Sequence, residues 1–183
     1  MKASKKIFVI CLVLTSITCG LSALKVAAEN SPVSDQQITI VRDNCASTKS
    51  TLNQVHVSDA VLRVNMGQAY DSMSSKLMSR FNDRVSSNSL NNNDLVSVTK
   101  KYNSTLDTFR LDYKRYEEQL SLAISIDCSA QPADFYNAVD QADQYRDLVH
   151  ADVLKLNDYI DQYQTAFDQF EKDYQANKDE GTK

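Results

Sequence analysis

Cys45 and Cys128 are the residues of this chain best suited to covalent chemistry. The 183 residues hold four cysteines, but Cys11 and Cys19 fall in an N-terminal segment with the character of an export signal. Removing that segment leaves an even pair. In an oxidising compartment such a pair reads as a disulfide, ahead of a reduced pair, a redox couple or intermolecular bridges. A redox couple usually has closely spaced cysteines beside a positive charge or a helix N-terminus, and nothing around these two suggests it.

Other reactive groups are sparse. His56 and His150 are the only histidines, and Asp147 stands three residues before His150 on what would be one helical face. One His and one Asp are a fragment of a metal site, so no metal is expected. No Ser/His/Asp or Cys/His set can be assembled, so no catalytic residue and no cofactor are expected, and a hydrolase built on paired Asp is the least favoured reading.

Acidic residues are abundant near the C-terminus. Residues 133–180 hold twelve acids against four basic residues, whereas residues 29–132 are close to neutral. Asp140, Asp143 and Asp147 form one stripe, with Asp158 and Asp161 another. A solvated face, weak Ca²⁺ binding without an EF-hand-type loop, or a docking face for a basic partner would each use such a stripe. Nine tyrosines accompany no tryptophan. Tyr136, Tyr145 and Tyr159 lie beside or off the apolar seams, where they flank the core or serve an interface.

These residues must be positioned by helices. The mature chain has few glycines and has prolines only at 32 and 132, too few breakers for most β architectures. Apolar residues recur in alternating steps of three and four along three segments. The third runs Phe135, Val139, Ala142, Arg146, Val149, Val153, Leu156, Ile160, Tyr163, Phe167, Phe170, Tyr174, with Arg146 the one exception. The second runs Leu95, Thr99, Tyr102, Leu106, Phe109, Tyr113, Tyr116, Leu120, Ala123. The first passes through Ile38, Cys45, Leu52, Asp59, Met66 and Met73, then steps by four through Leu77, Phe81 and Val85. A mean step near 3.5 is the signature of a coiled-coil-like seam.

The expected fold is therefore all-α: an elongated antiparallel three-helix bundle over 35–176, with helices at about 35–86, 94–125 and 132–176. The longest would span ~65–75 Å. A Ser/Asn turn at 86–94 separates the first two helices, with Asn93 or Asp94 available as a cap. "DCSAQP" at 127–132 separates the last two, with Pro132 opening the third. Residues 29–34 read as a linker and 177–183 as a disordered tail. Folding the hairpin near residue 90 brings Cys45 and Cys128 to the same end. An offset of ~10 Å along the helices remains for the loops to absorb. A bridge closing a loop of about 84 residues is worth up to ~4.5 kcal/mol. Asp59, on the first seam, must be solvated or paired with Lys or Arg; if it only weakens the core, Asp59→Leu should raise the melting temperature.

The N-terminus sets compartment. Lys2, Lys5 and Lys6 precede an apolar stretch from Ile7 to Leu24, and Val26-Ala27-Ala28 offers a signal-peptidase site. Residues 1–28 thus read as a signal peptide, with an uncleaved membrane anchor as the alternative. Cleavage after Ala28 would remove four lysines, so 16 basic residues would face 24 acidic ones, a net charge of −8. That balance disfavours nucleic acid and anionic lipid as partners.

Cys45, the helical hairpin, "FRLDYKRY" at 109–116, Cys128, Phe135 and "RDLVHADVLKLNDYI" at 146–160 resemble secreted two-cysteine helical-bundle proteins of candidate-phyla bacteria, Saccharibacteria among them. The likeness covers most of the mature chain. It implies export and an all-helical fold, and it supplies no catalytic residue. The function expected is non-enzymatic and extracytoplasmic, exerted through protein contacts as an envelope, adhesion or scaffold component. A periplasmic-type chaperone or hydrophobic-ligand carrier is the alternative.

Overall fold

The structure, a computed structural model, describes residues 33–180. The export segment, its cleavage site and residues 181–183 lie outside the described residues. The elements are α1 (Asp35–Asp43), α2 (Cys45–Ser72), a π-helical segment (Met73–Met78), α3 (Ser79–Ser87), α4 (Asn93–Ser125) and α5 (Pro132–Glu180). The class is all-α, with no strand among the described residues.

The first expected helix, 35–86, is four segments rather than one. Ser34 and Gln37 form a capping box: the Gln37 N–H donates to Ser34 Oγ at 3.3 Å, and the Ser34 N–H donates to Gln37 Oε1 at 2.8 Å. Asn44 ends α1 with φ −107° and ψ 9°, its side-chain amide and backbone N–H both donating to the Ile40 carbonyl. The π-helical segment interrupts the step-of-four series noted above at Leu77. Tyr70, Met78 and Val85 are the buried apolar residues along this stretch. Eight residues separate the first two and seven the last two, so the extra residue falls between Tyr70 and Met78. The wider turns place Met78 in the core and turn Leu77 outward.

Tyrosine hydroxyls mark both ends of that segment. Tyr102 of α4 donates to the Tyr70 carbonyl at 3.1 Å, and Tyr163 of α5 lies 3.3 Å from the Met78 carbonyl. Tyr163 also reaches Asn82 Oδ1 at 2.9 Å, and Asn82 donates to Thr99 Oγ1 at 2.9 Å. Tyr102, Tyr163, Asn82 and Thr99 each find a partner in this buried network, whereas the buried Tyr70 hydroxyl has none.

Two turns join the long helices. At the first, Ser89 takes a left-handed φ of 57°, where glycine is usual. The Leu90 N–H donates to the Val85 carbonyl at 3.1 Å and the Ser89 N–H to the Ser86 carbonyl at 2.9 Å, the two bonds of a Schellman stop. Neither Asn93 nor Asp94 caps α4. The cap position is Asn92, whose amide instead reaches back to the Asn82 carbonyl and Ser86 Oγ, both at 2.9 Å. At the second turn, Asp127 Oδ1 accepts from the Ser129 and Ala130 N–H groups, and Pro132 opens α5. The α5 helix runs through 177–180, residues expected in the tail.

Packing is uneven. The dominant long-range contact is α4 against α5. All nine seam residues of α4 are buried, as are Phe135, Ala142, Leu156 and Tyr163 of α5. By contrast, Cys45, Thr48, Leu52 and Val55 of α2 are half-buried, and Leu62, Met66 and Ala69 are exposed.

Candidate interaction surface

The disulfide fixes one end of α2. Cys45 and Cys128 are bonded, with Cα atoms 5.5 Å apart. Ile126 leaves α4 in extended geometry, which recovers ~2 Å of the ~10 Å offset between the cysteines. Lys49 Nζ donates to the Ile126 carbonyl at 3.0 Å beside the bridge. Cys128 is fully buried, which suits a structural disulfide. Such bonds persist in oxidising compartments.

From the bridge, α2 runs along the hairpin as far as Asp59. Asp59 and Arg146, the polar exceptions on two apolar seams, face each other with Oδ2 and Nε 3.9 Å apart. The Tyr116 hydroxyl donates to the same Oδ2 at 2.6 Å. Tyr116 is buried, and burial together with the hydrogen bond to Asp59 pushes its phenol well above the usual tyrosine range. One carboxylate oxygen thus accepts from a buried hydroxyl and lies in ion-pair range of a rim guanidinium. The expected sign of Asp59→Leu therefore reverses, because the substitution would strand the Tyr116 hydroxyl.

Beyond Asp59 no α2 side chain is buried before Tyr70. Val57, Val61, Leu62, Val64 and Met66 are all exposed, Val57 at 67% and Leu62 at 58%. Their spacing supplies the reason: apolar side chains fall on several sides of this stretch, and one seam cannot cover them all. A methyl group added at Gly67 would meet nothing within 4 Å. A groove of about 290 Å³ opens there, walled by Leu62, Met66, Phe109 and Val153, with Asp59, Arg146 and His150 also lining it. Arg63 crosses above, its guanidinium 5.0 Å from the Tyr113 ring centroid and 2.7 Å from Glu117.

The acidic and aromatic residues singled out in the sequence divide between surface and flank. Asp140, Asp143 and Asp147 are exposed, and Gln144 donates to Asp140 at 2.8 Å. Tyr136, Tyr145 and Tyr159 are half-buried. Tyr136 accepts from Gln37 Nε2 at 3.0 Å, tying α1 to α5, while Tyr145 and Tyr159 pack against the two core clusters. His150 lines the groove near Arg146, and His56 Nε2 lies 3.4 Å from Ser121 Oγ.

One cluster was not singled out in the sequence. Asp112 and Asp152 are both buried between α4 and α5, held by Arg115 at 3.0 Å and Lys155 at 3.5 Å respectively. Asp152 Oδ2 has no hydrogen-bond partner. Burial pushes the Asp152 carboxyl up; Lys155 opposes the shift and Asp112 adds to it. Asp152 lies one residue before the seam residue Val153, an offset that could have marked it as a core flank.

No protein-family model, curated protein or solved structure matches this chain. Among the described residues, no helix is long and apolar enough to cross a membrane.

Proposed function

We propose that this chain is exported and acts as a non-enzymatic, antiparallel three-helix bundle that works by protein contact, as an envelope, adhesion or scaffold component. The observation that carries the reading is the exposed apolar stretch of α2 between Val57 and Met66, beside a tightly packed α4–α5 pair. Exposed apolar side chains gathered on one element favour a partner surface over a solvated face. The Cys45–Cys128 bond supports an oxidising compartment. The half-buried Tyr136, Tyr145 and Tyr159 and the exposed Asp140, Asp143 and Asp147 would serve as a second, polar face on α5.

A photo-crosslinking side chain at Val61 tests the reading in envelope extract. Discrete protein adducts, missing when the same probe stands at exposed Asp158, are expected. Adducts no more frequent than at Asp158 would remove the reading.

The alternative, a chaperone or hydrophobic-ligand carrier, draws on the groove of about 290 Å³ with apolar walls. Sites for small apolar ligands usually occupy ~300–1,000 Å³ and enclose their guest, so this groove stands at the lower limit. The carrier reading predicts that the native protein binds an apolar dye and suppresses aggregation of an unfolded client. Failure of both would discard it.

A further inference from the structure

A second groove, of about 520 Å³, lies between α5 and the stretch formed by the π-helical segment and α3. Its apolar lining includes Leu77, Phe81, Ile160 and Phe167. Leu77 is 52% exposed because the wide π turns rotate it off the core side that Met78 occupies. Lys76, Arg80 and Arg84 also line the groove, and no carboxylate does. Arg63, Arg110, Arg115 and Arg146 each meet a carboxylate, whereas Lys76, Arg80 and Arg84 make no ion pair among the described residues. A row of unpaired cations on a chain of net charge −4 is a local reversal of the protein's own field.

We propose that this groove docks an amphipathic helix of a partner protein that carries acidic side chains along one flank. The proposal rests on the protein-contact reading above and names the partner's chemistry. Spacing selects the ligand class. Positions 76, 80 and 84 repeat every four residues and form a row along ~12 Å of helix. Carboxylates at i, i+4 and i+8 of an adjacent helix repeat at the same interval, and the apolar face of that helix would cover Leu77 and Phe81. The chain's own N-terminal segment is the wrong occupant, since residues 1–32 carry four lysines and only Glu29 as an acid.

The test uses the disulfide-bonded residues 29–183 and a fluorescein-labelled, stapled 18-residue helix. The peptide has leucines at alternating three- and four-residue steps and glutamates at i, i+4 and i+8 on one flank. A second peptide carries lysines at those three positions. Fluorescence anisotropy should show binding of the glutamate peptide at least tenfold tighter than the lysine peptide. The triple variant K76E/R80E/R84E should lose that preference, and Leu77→Asp should weaken binding at least tenfold. All four side chains are exposed, so the helical circular dichroism of both variants should match that of the parent. Equal binding of the two peptides, or none, would overturn the proposal. So would binding only to phosphatidylglycerol vesicles, or dimerisation abolished by the triple variant without peptide binding. If the peptides fail while Val61 still captures a protein, the groove assignment falls and the protein-contact reading stands.

Discussion

Between Leu95 and Ala123 the α4 helix buries a residue every three or four positions, while between Val57 and Ala69 the α2 helix buries none. Both segments are apolar at helical spacing, yet they have different fates. The α4 seam packs chiefly against α5 and also takes Tyr70, Met78, Leu52 and Val55 from the first helical stretch. The α2 stretch spreads valines and leucines around its circumference, so one packed side leaves the others exposed. Spacing alone makes a helix; one continuous stripe opposite another makes a core. The α4–α5 pair therefore supplies most of the packing. The α2 helix is tied by the disulfide at Cys45, by Asp59 and Arg63 along its length and by the contacts of Tyr70, while Val57, Val61, Leu62, Val64 and Met66 stay exposed.

The largest effect that would break this comparison comes from truncating one leucine on each side of it. Leu156 is fully buried, so Leu156→Ala should cost about 3–5 kcal/mol in urea unfolding. Leu62→Ala should cost less than about 0.5 kcal/mol. Similar costs at the two sites would mean that α2 is packed as tightly as α4.

Next in size is the disulfide. Replacing Cys45 and Cys128 together by Ala should remove about 2–4 kcal/mol in thermal or denaturant unfolding. The loss should appear first as faster hydrogen exchange in residues 45–59, with α4 and α5 following only on global unfolding.

A smaller effect belongs to the pairing of Asp59, Tyr116 and Arg146. Asp59→Leu should destabilise by about 1–3 kcal/mol, because the buried Tyr116 hydroxyl loses its acceptor. A rise in melting temperature would show that this carboxylate only weakens the core.

The smallest effect is a pH dependence inside the hairpin. The folded pKa of Asp152 is raised, chiefly by burial, above its unfolded value. Its contribution is fully present below the unfolded value and is lost as pH rises through the folded value. Asp152→Asn should flatten that part of the stability profile and leave the neutral-pH protein slightly more stable. A profile identical to the parent's would assign the acid-side dependence to other carboxylates.

The residues also show why some of this was legible in sequence and some was not. The α4 and α5 seams, Pro132 and the Cys45–Cys128 pairing were readable because each depends on local spacing or on a two-member choice. Asp59 was visibly anomalous, but its partner Arg146, the exception on another seam, becomes identifiable only when the seams are brought together. The steps of four after Met73 put Leu77 on the seam, but the π-helical turns bury Met78 in its place and leave Leu77 exposed. The break at Asn44 is a change of backbone angles at a single residue, below the resolution of a periodic pattern. The same holds for Asn92, whose amide is drawn to α3 rather than to its own helix. The cationic groove was hidden because Lys76, Arg80 and Arg84 acquire meaning only beside Ile160 and Phe167, some eighty residues away.

Native-state hydrogen exchange on the disulfide-bonded protein tests the central claim most directly, because it reads both regions in one sample. Amides of residues 57–69 should exchange through local opening, at least a hundredfold faster than those of residues 98–120, which should exchange only with global unfolding. Equal protection across the two stretches would contradict the claim that α2 is the open member of the fold and the hairpin its stable frame.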